Sequence, residues 1–179
     1  MGLILAQQVA TLAGNSASHA LTGLALLHVA EAYAMLGERR SCEAALGAAE
    51  SHLEKVQATD PAYGLFSPDR LGRVKGSCYL FLGTAAKAQP ILESTARSLH
   101  GRQKSKAIVL GNLALACIRQ RDVEQAATVL HRAIDLLEMT RGGGGLNVVF
   151  AAAREFRPWR YEPSVQDVND RLLALMAVG

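Results

Sequence analysis

Three stretches of this chain superpose on one another without a gap: "VAEAYAMLGERRSCEAALGAA" (29–49), "KGSCYLFLGTAAKAQPILEST" (75–95) and "LALACIRQRDVEQAATVLHRA" (113–133). Small residues align first, as Ala30, Gly76 and Ala114. Tyr33, Tyr79 and Cys117 follow three positions on, then Gly37, Gly83 and Arg121, then Cys42, Ala88 and Ala126, and finally Leu46, Leu92 and Leu130. A repeated unit of this size cannot bury its apolar face alone, which restricts the chain to architectures in which neighbours stack. The small residue marks where two helices approach closely. The glycine after an apolar run takes the left-handed conformation that ends a helix.

Helical spacing runs through the same segments. In "ALTGLALLHVAEAYAML" (20–36), Leu26, Val29, Ala30 and Tyr33 recur on one helix face, and Gly37 closes the run. A second helix is expected over about 40–57. Ser67 before Pro68 predicts a helix start, since proline at the first helical position needs no N–H there, and that helix should reach about Leu82. Asp122 is placed to cap "VEQAATVLHRAIDLLEM", and "SVQD" from Ser164 has the form of a capping box. The β-prone "NVVF" (147–150) continues into "AAAREF", which favours helix. Aromatics make up 5% of a chain that is 50% hydrophobic, so its close contacts must come from small and aliphatic side chains, and the expectation is an all-α protein of 179 residues.

The aligned small residue, aromatic, turn glycine, alanine and second large apolar residue resemble the tetratricopeptide repeat. The resemblance covers about 20–141, and implies repeats over about 20–57, 68–101 and 103–141 with capping helices over 146–179, in a single domain of about nine helices forming a right-handed superhelix. The spacing departs from the standard unit of about 34 residues. Tyr33 to Tyr79 spans 46 positions and Tyr79 to Cys117 spans 38, with "QATDPAYGLFS" as the inserted loop. The leading Trp of the family is missing, the third segment has Cys117 for Tyr and Arg121 for Gly, and Pro90 falls inside an expected helix, where it deletes one backbone hydrogen bond.

The resemblance also implies a job, binding along a surface lined by the first helix of each pair. Carried over position by position, that surface includes Leu24, Leu27, His28, Glu31, Ala34 and Met35 in the first unit. Arg70, Arg73, Val74, Ser77, Leu80 and Phe81 correspond in the second, and Ile108, Gly111, Asn112, Leu115, Ile118 and Arg119 in the third. Arg73, Asn112 and Arg119 could hold a carboxylate or a peptide backbone, with Leu27, Met35, Phe81 and Ile118 giving apolar contact. The plainer alternative is a solvated helix face for the arginines and helix packing for the apolar set.

"TRGGGGLNVVFAAAREFRPWR" (140–160) lacks the Lys-Ser/Thr that a phosphate loop requires, and it follows a helix instead of a strand. The glycines are expected to be a joint after Arg141 at a helix end, with one residual option: an anion at the start of the next helix, near Asn147 and Arg154. Phe156, Trp159 and Tyr161 then gather beside Pro158 and Pro163, as a cap over the terminal apolar face or an interface with a second copy or another partner. This terminal block, with the long irregular repeats, resembles the C-terminal portion of large actinobacterial helix-turn-helix transcriptional regulators. That implies an effector or oligomerisation region whose DNA-binding part would precede residue 1.

Five scattered histidines form no metal or catalytic spacing, and His28–Glu31 reads as a surface pair, so neither an enzyme nor a cofactor is expected. A net charge of +3 with dispersed Lys and Arg does not ask for nucleic acid. No apolar run nears the roughly 20 residues of a membrane span, no basic leader opens the chain, and Cys42, Cys78 and Cys117 make no CxxC. The expectation is a cytoplasmic, non-enzymatic scaffold for a protein or peptide, with a small-molecule or signalling-peptide sensor and a stand-alone adaptor as alternatives.

Overall fold

A computed structural model describes residues 2–140 and 145–177. The described residues are all-helical, with nine α-helices and two short 3-10 turns. Of the glycine joint expected at 142–145, residues 142–144, and Arg141 before them, lie outside the described residues. The chain divides into two compact units, Met1–Thr84 and Ala85–Gly179, with the division inside the second of the three spans read as repeats.

The first unit holds α1 (Gly2–Gly14), α2 (His19–Met35), α3 (Arg39–Leu53) and α4 (Pro68–Phe81). Helices α2 and α3 form a tight antiparallel pair, with α1 and α4 packed against α2. The reason for the close α2–α3 approach is Gly23, where an added Cβ would lie 2.6 Å from Leu53 Cδ2. Leu27, Ala30, Cys42, Leu46 and Ala49 fill the seam and are all buried. Each leucine buried here contributes about 1.5–3 kcal/mol. Cys42 of α3 and Cys78 of α4 meet through a side-chain hydrogen bond in this core, and burial pushes both thiols up.

Helix α1 has no charged residue. Leu3, Ala6 and Ala10 pack on the core while Ile4, Leu5, Val9 and Leu12 face solvent. Thr22 Oγ1 of α2 donates to the Ala13 carbonyl at 2.9 Å, and Gln7 Nε2 donates to Tyr33 Oη at 2.9 Å, which ties α1 to α2 at its middle and at its C-terminal end.

The inserted loop is ordered by its own chemistry. It contains the 3-10 turn Tyr63–Leu65, and Asp60 reaches back to the start of α2. The Asp60 carboxylate accepts from Ser18 Oγ at 2.5 Å, from the Ala20 N–H at 3.1 Å and from the Ala62 N–H at 2.9 Å. Ser18 Oγ in turn accepts from the Leu21 N–H, so serine and aspartate together satisfy donors that the first turn leaves open. The Ser18 hydroxyl, with the backbone donors, holds the Asp60 carboxyl below the usual aspartate range. The packing of α3 on α2 brings His52 to 3.1 Å from His19, Nδ1 to Nδ1, and burial, the His19 ring and Lys55 lower the pKa of His52.

The second unit holds α5 (Ala85–Ser98), α6 (Gln103–Arg119), α7 (Val123–Thr140), α8 (Leu146–Glu155), a 3-10 turn at Arg157–Trp159 and α9 (Pro163–Ala177). Helices α6 and α7 make the tightest pair, α5 and α8 pack on α6, and α9 lies chiefly on α7. The core is Ala114, Cys117, Ala126, Leu130, Ile134 and Val149, all buried. Burial pushes the Cys117 thiol up to about 11. Pro90 is exposed, and α5 runs through it.

Three of the aligned sets share their burial, whereas Tyr33 and Tyr79 are half-buried and the aligned Cys117 is fully buried. Ala30, Gly76 and Ala114 are buried, as are Cys42, Ala88 and Ala126, and Leu46, Leu92 and Leu130. Helices α2, α4 and α6 also end in the same way. The Glu38 N–H donates to the Tyr33 carbonyl at 2.9 Å, Thr84 to Tyr79 at 2.8 Å and Asp122 to Cys117 at 3.0 Å. In each case the residue before the donor is left-handed, with φ 77° at Gly37, 70° at Gly83 and 63° at Arg121. These are three copies of one helix stop.

Two expected caps differ in detail. Ser67 precedes α4 as expected but its hydroxyl turns to the Asp69 carboxylate and makes no backbone cap. The capping box at Ser164 does not form, because α9 already begins at Pro163 and Ser164 Oγ donates to Glu124 Oε1 of α7 at 2.9 Å. Asp122 does cap α7, accepting from the Gln125 N–H at 3.3 Å. The second helix ends at Leu53, four residues short of the expected limit, where the Asp60 loop takes over.

Candidate functional site

Most of the first-unit residues assigned to a binding surface lie on two helix stripes. On α2, His28, Glu31 and Met35 recur at steps of three and four. On α4, Arg70, Arg73, Ser77 and Phe81 do the same over three turns, and the two helices pack together. Met35 is 67% exposed and Phe81 53% exposed, each at the C-terminal end of its helix. Arg70 and Arg73 are half-buried and have no salt-bridge partner among the described residues. His28 Nδ1 stands 3.9 Å from Glu31 Oε2, a surface pair one turn apart.

The apolar members of the expected surface divide. Leu27 and Ile118 are core residues, not contact residues, and so are Leu24, Val74 and Leu80. They sit on the inward side of helices buried on more than one face, where sequence position alone does not separate lining from filling.

On α6 the corresponding face is occupied by the chain itself. A Cβ at Gly111 would lie 2.9 Å from Val148 Cγ1 and 3.3 Å from the Val148 and Val149 backbone, so α8 crosses α6 at this glycine. Arg119 Nη2 donates to Glu155 Oε1 of α8 at 3.2 Å. Asn112 is half-buried on the same helix.

Asn147 and Arg154 are not brought together. Asn147 is in the first turn of α8 and Arg154 in its last, separated by seven residues, or about 10 Å along the axis. The α8 start is closed by packing: a Cβ at Gly145 would stand 3.0 Å from Ala107 Cβ and 3.1 Å from Leu137 Cδ2. Among the aromatics expected at an interface, Phe156 is 1% exposed and serves as core of the second unit, so its enclosed ring has no surface to offer a partner. Trp159 is half-buried, and Tyr161 is 75% exposed with the Arg160 guanidinium 4.5 Å from its ring centre.

Three features were not anticipated. They are the exposed apolar side of α1, the Ser18–Asp60–His19–His52 cluster, and a cleft between α8 and α9 that Arg154 helps to line. The signal for the first was a 13-residue run without charge at 2–14; the second depends on a side chain 40 residues away and left none. Among the described residues no His, Cys, Asp or Glu cluster could hold a metal ion, and no helix is long and apolar enough to cross a membrane. Comparison with family models, curated proteins and solved structures gives no match.

Proposed function

We propose that this chain is a non-enzymatic scaffold of tetratricopeptide-like repeats, stacked as a right-handed superhelix, that binds a peptide or protein through the α2 and α4 stripes of its first unit. The observation that carries the reading is the pairing of exposed Met35 and Phe81 with Arg70 and Arg73 on two packed helices. Large apolar groups at this exposure give contact area, and a guanidinium fork recognises a carboxylate with direction. The three like helix stops support the repeat reading, since α2, α4 and α6 each end in the same left-handed turn. The terminal block's resemblance to actinobacterial regulators supports a role as the effector or oligomerisation region of such a protein, in the cytoplasm, with a second copy of the chain as one class of partner. The test is selection of ligands from a random peptide library on the immobilised protein. Selected peptides should lose affinity at least ten-fold on Phe81→Ala or Arg73→Ala. Peptides that bind both variants as well as the parent would place the ligand surface elsewhere.

A further inference from the structure

The cleft between α8 and α9 differs in chemistry from the first-unit stripes. Helix α9 lies on α7 and touches α8 little, so the two helices splay and leave about 320 Å3 between them, at the lower end of the range for small-molecule sites. Its apolar wall includes Phe150, Leu172 and Met176. Arg154, Arg157 and Arg160 line the same space, which contains no carboxylate. Of the acidic residues on α8 and α9, Glu155 pairs with Arg119 and Asp167 with His131 Nε2 at 3.2 Å. Among the described residues neither Arg154 nor Arg157 has a salt-bridge partner, and Arg160 donates to Tyr161 Oη at 2.9 Å. Arg160 is held on the Tyr161 ring, which leaves Arg154 and Arg157 as two arginines without an ion-pair partner lining a largely apolar cleft, a combination complementary to an anionic head on an apolar body. The short cleft, about two turns of each helix, suits a small molecule and not a long helix.

We propose that the α8–α9 cleft binds a free anionic amphiphile, a carboxylate or phosphate carried on a medium-length acyl or alkyl chain, with the head on Arg154 and Arg157 and the chain along Phe150, Leu172 and Met176. The proposal is independent of peptide binding by the first unit. Each methylene that leaves water tightens binding by up to about four-fold, and a guanidinium–anion contact adds a further ten-fold or more.

Trp159, the chain's single tryptophan, lies between Arg157 and Arg160 and reports on the site. Decanoate, decyl phosphate, octanoate, decanol and decyltrimethylammonium would be titrated into the full chain below their micelle-forming concentrations, with Trp159 fluorescence and calorimetry as readouts. The expected result is saturable one-to-one binding of decanoate or decyl phosphate, the stronger of the two identifying the head group. Octanoate should be several-fold weaker, and decanol and the cation at least ten-fold weaker. Arg154→Ala with Arg157→Ala should remove at least ten-fold of the decanoate affinity, and Met176→Glu should do the same from the apolar side. All three residues are exposed, so the variants should keep the parent's circular dichroism and unfolding midpoint. Equal affinity for decanol, or an unchanged affinity in both variants, overturns the proposal. So does binding seen with phosphatidylglycerol vesicles and not with monomeric amphiphile, which would make the arginines a membrane contact.

Discussion

Replacing Arg121 by glycine should stabilise the protein, whereas replacing Gly37 by alanine should destabilise it, although both positions occupy the same place in the same turn. Gly37 has φ 77° and nothing within 4 Å of where a Cβ would be, so a substitution there meets no steric clash and its cost is one of backbone conformation alone. An L-residue in the left-handed region costs about 1–2 kcal/mol. Alanine recovers about 0.4–1 kcal/mol by restricting the unfolded chain, which leaves Gly37→Ala about 0.5–1 kcal/mol less stable. Arg121, with φ 63°, already bears that cost, and Arg121→Gly should return a similar amount. Urea unfolding, followed by far-UV circular dichroism for the helices of both units and by Trp159 fluorescence for the second unit, gives both values. Arg121→Ala serves as the control, because it keeps the strained backbone and removes only the side chain. A loss of stability in Arg121→Gly, or no change in Gly37→Ala, would refute the equivalence of the turns.

Gly111→Ala should cost about 1–3 kcal/mol, because its Cβ would press on Val148 and the α8 backbone; Val148→Ala should restore part of that loss in a double-mutant cycle. Leu130→Ala, at a position with no exposure, should cost about 2–5 kcal/mol in urea unfolding. Acidification should weaken the first unit in two steps. The His52 pKa is lowered in the fold, so its contribution is present above the unfolded value near 6.5 and disappears as pH falls through the native one. Asp60, also lowered, adds a second loss below the unfolded aspartate value near 3.9. His52→Gln should flatten the first step and Asp60→Asn the second in a pH series of thermal melts. Leu5→Lys with Leu12→Lys on α1 should change stability by no more than about 0.5 kcal/mol, since both side chains are exposed.

Local signals were legible in the sequence where partners were close along the chain. The stops at Gly37, Gly83 and Arg121 could be aligned because each is made by residues within six positions, and Pro68 marked its helix start through its own fixed φ. For α1 the charge-free run "GLILAQQVATLAG" signalled an apolar segment but not which of its sides packs on the core, since no charge sets a polar face against an apolar one. The Asp60 cap was hidden because donor and acceptor are some 40 residues apart. Ser164 shows the same limit: its pattern favoured a local cap, and a carboxylate on α7 won the hydroxyl. For the candidate surface, the resemblance to the repeat family pointed to Arg70, Arg73, Ser77 and Phe81, whereas only tertiary packing shows that Leu27 and Ile118 are buried and that α8 covers α6 at Gly111. The arginine-lined cleft depends on the splay of α8 and α9, which no local pattern encodes.

The most direct test of the central claim is a nuclear magnetic resonance titration of the isotope-labelled protein with a peptide selected against it. Peptide binding by the first unit predicts that backbone amide shifts concentrate in residues 28–35 of α2 and 70–81 of α4, saturate at one equivalent, and vanish in Phe81→Ala. Shifts confined to other helices, or unchanged by that substitution, would contradict it.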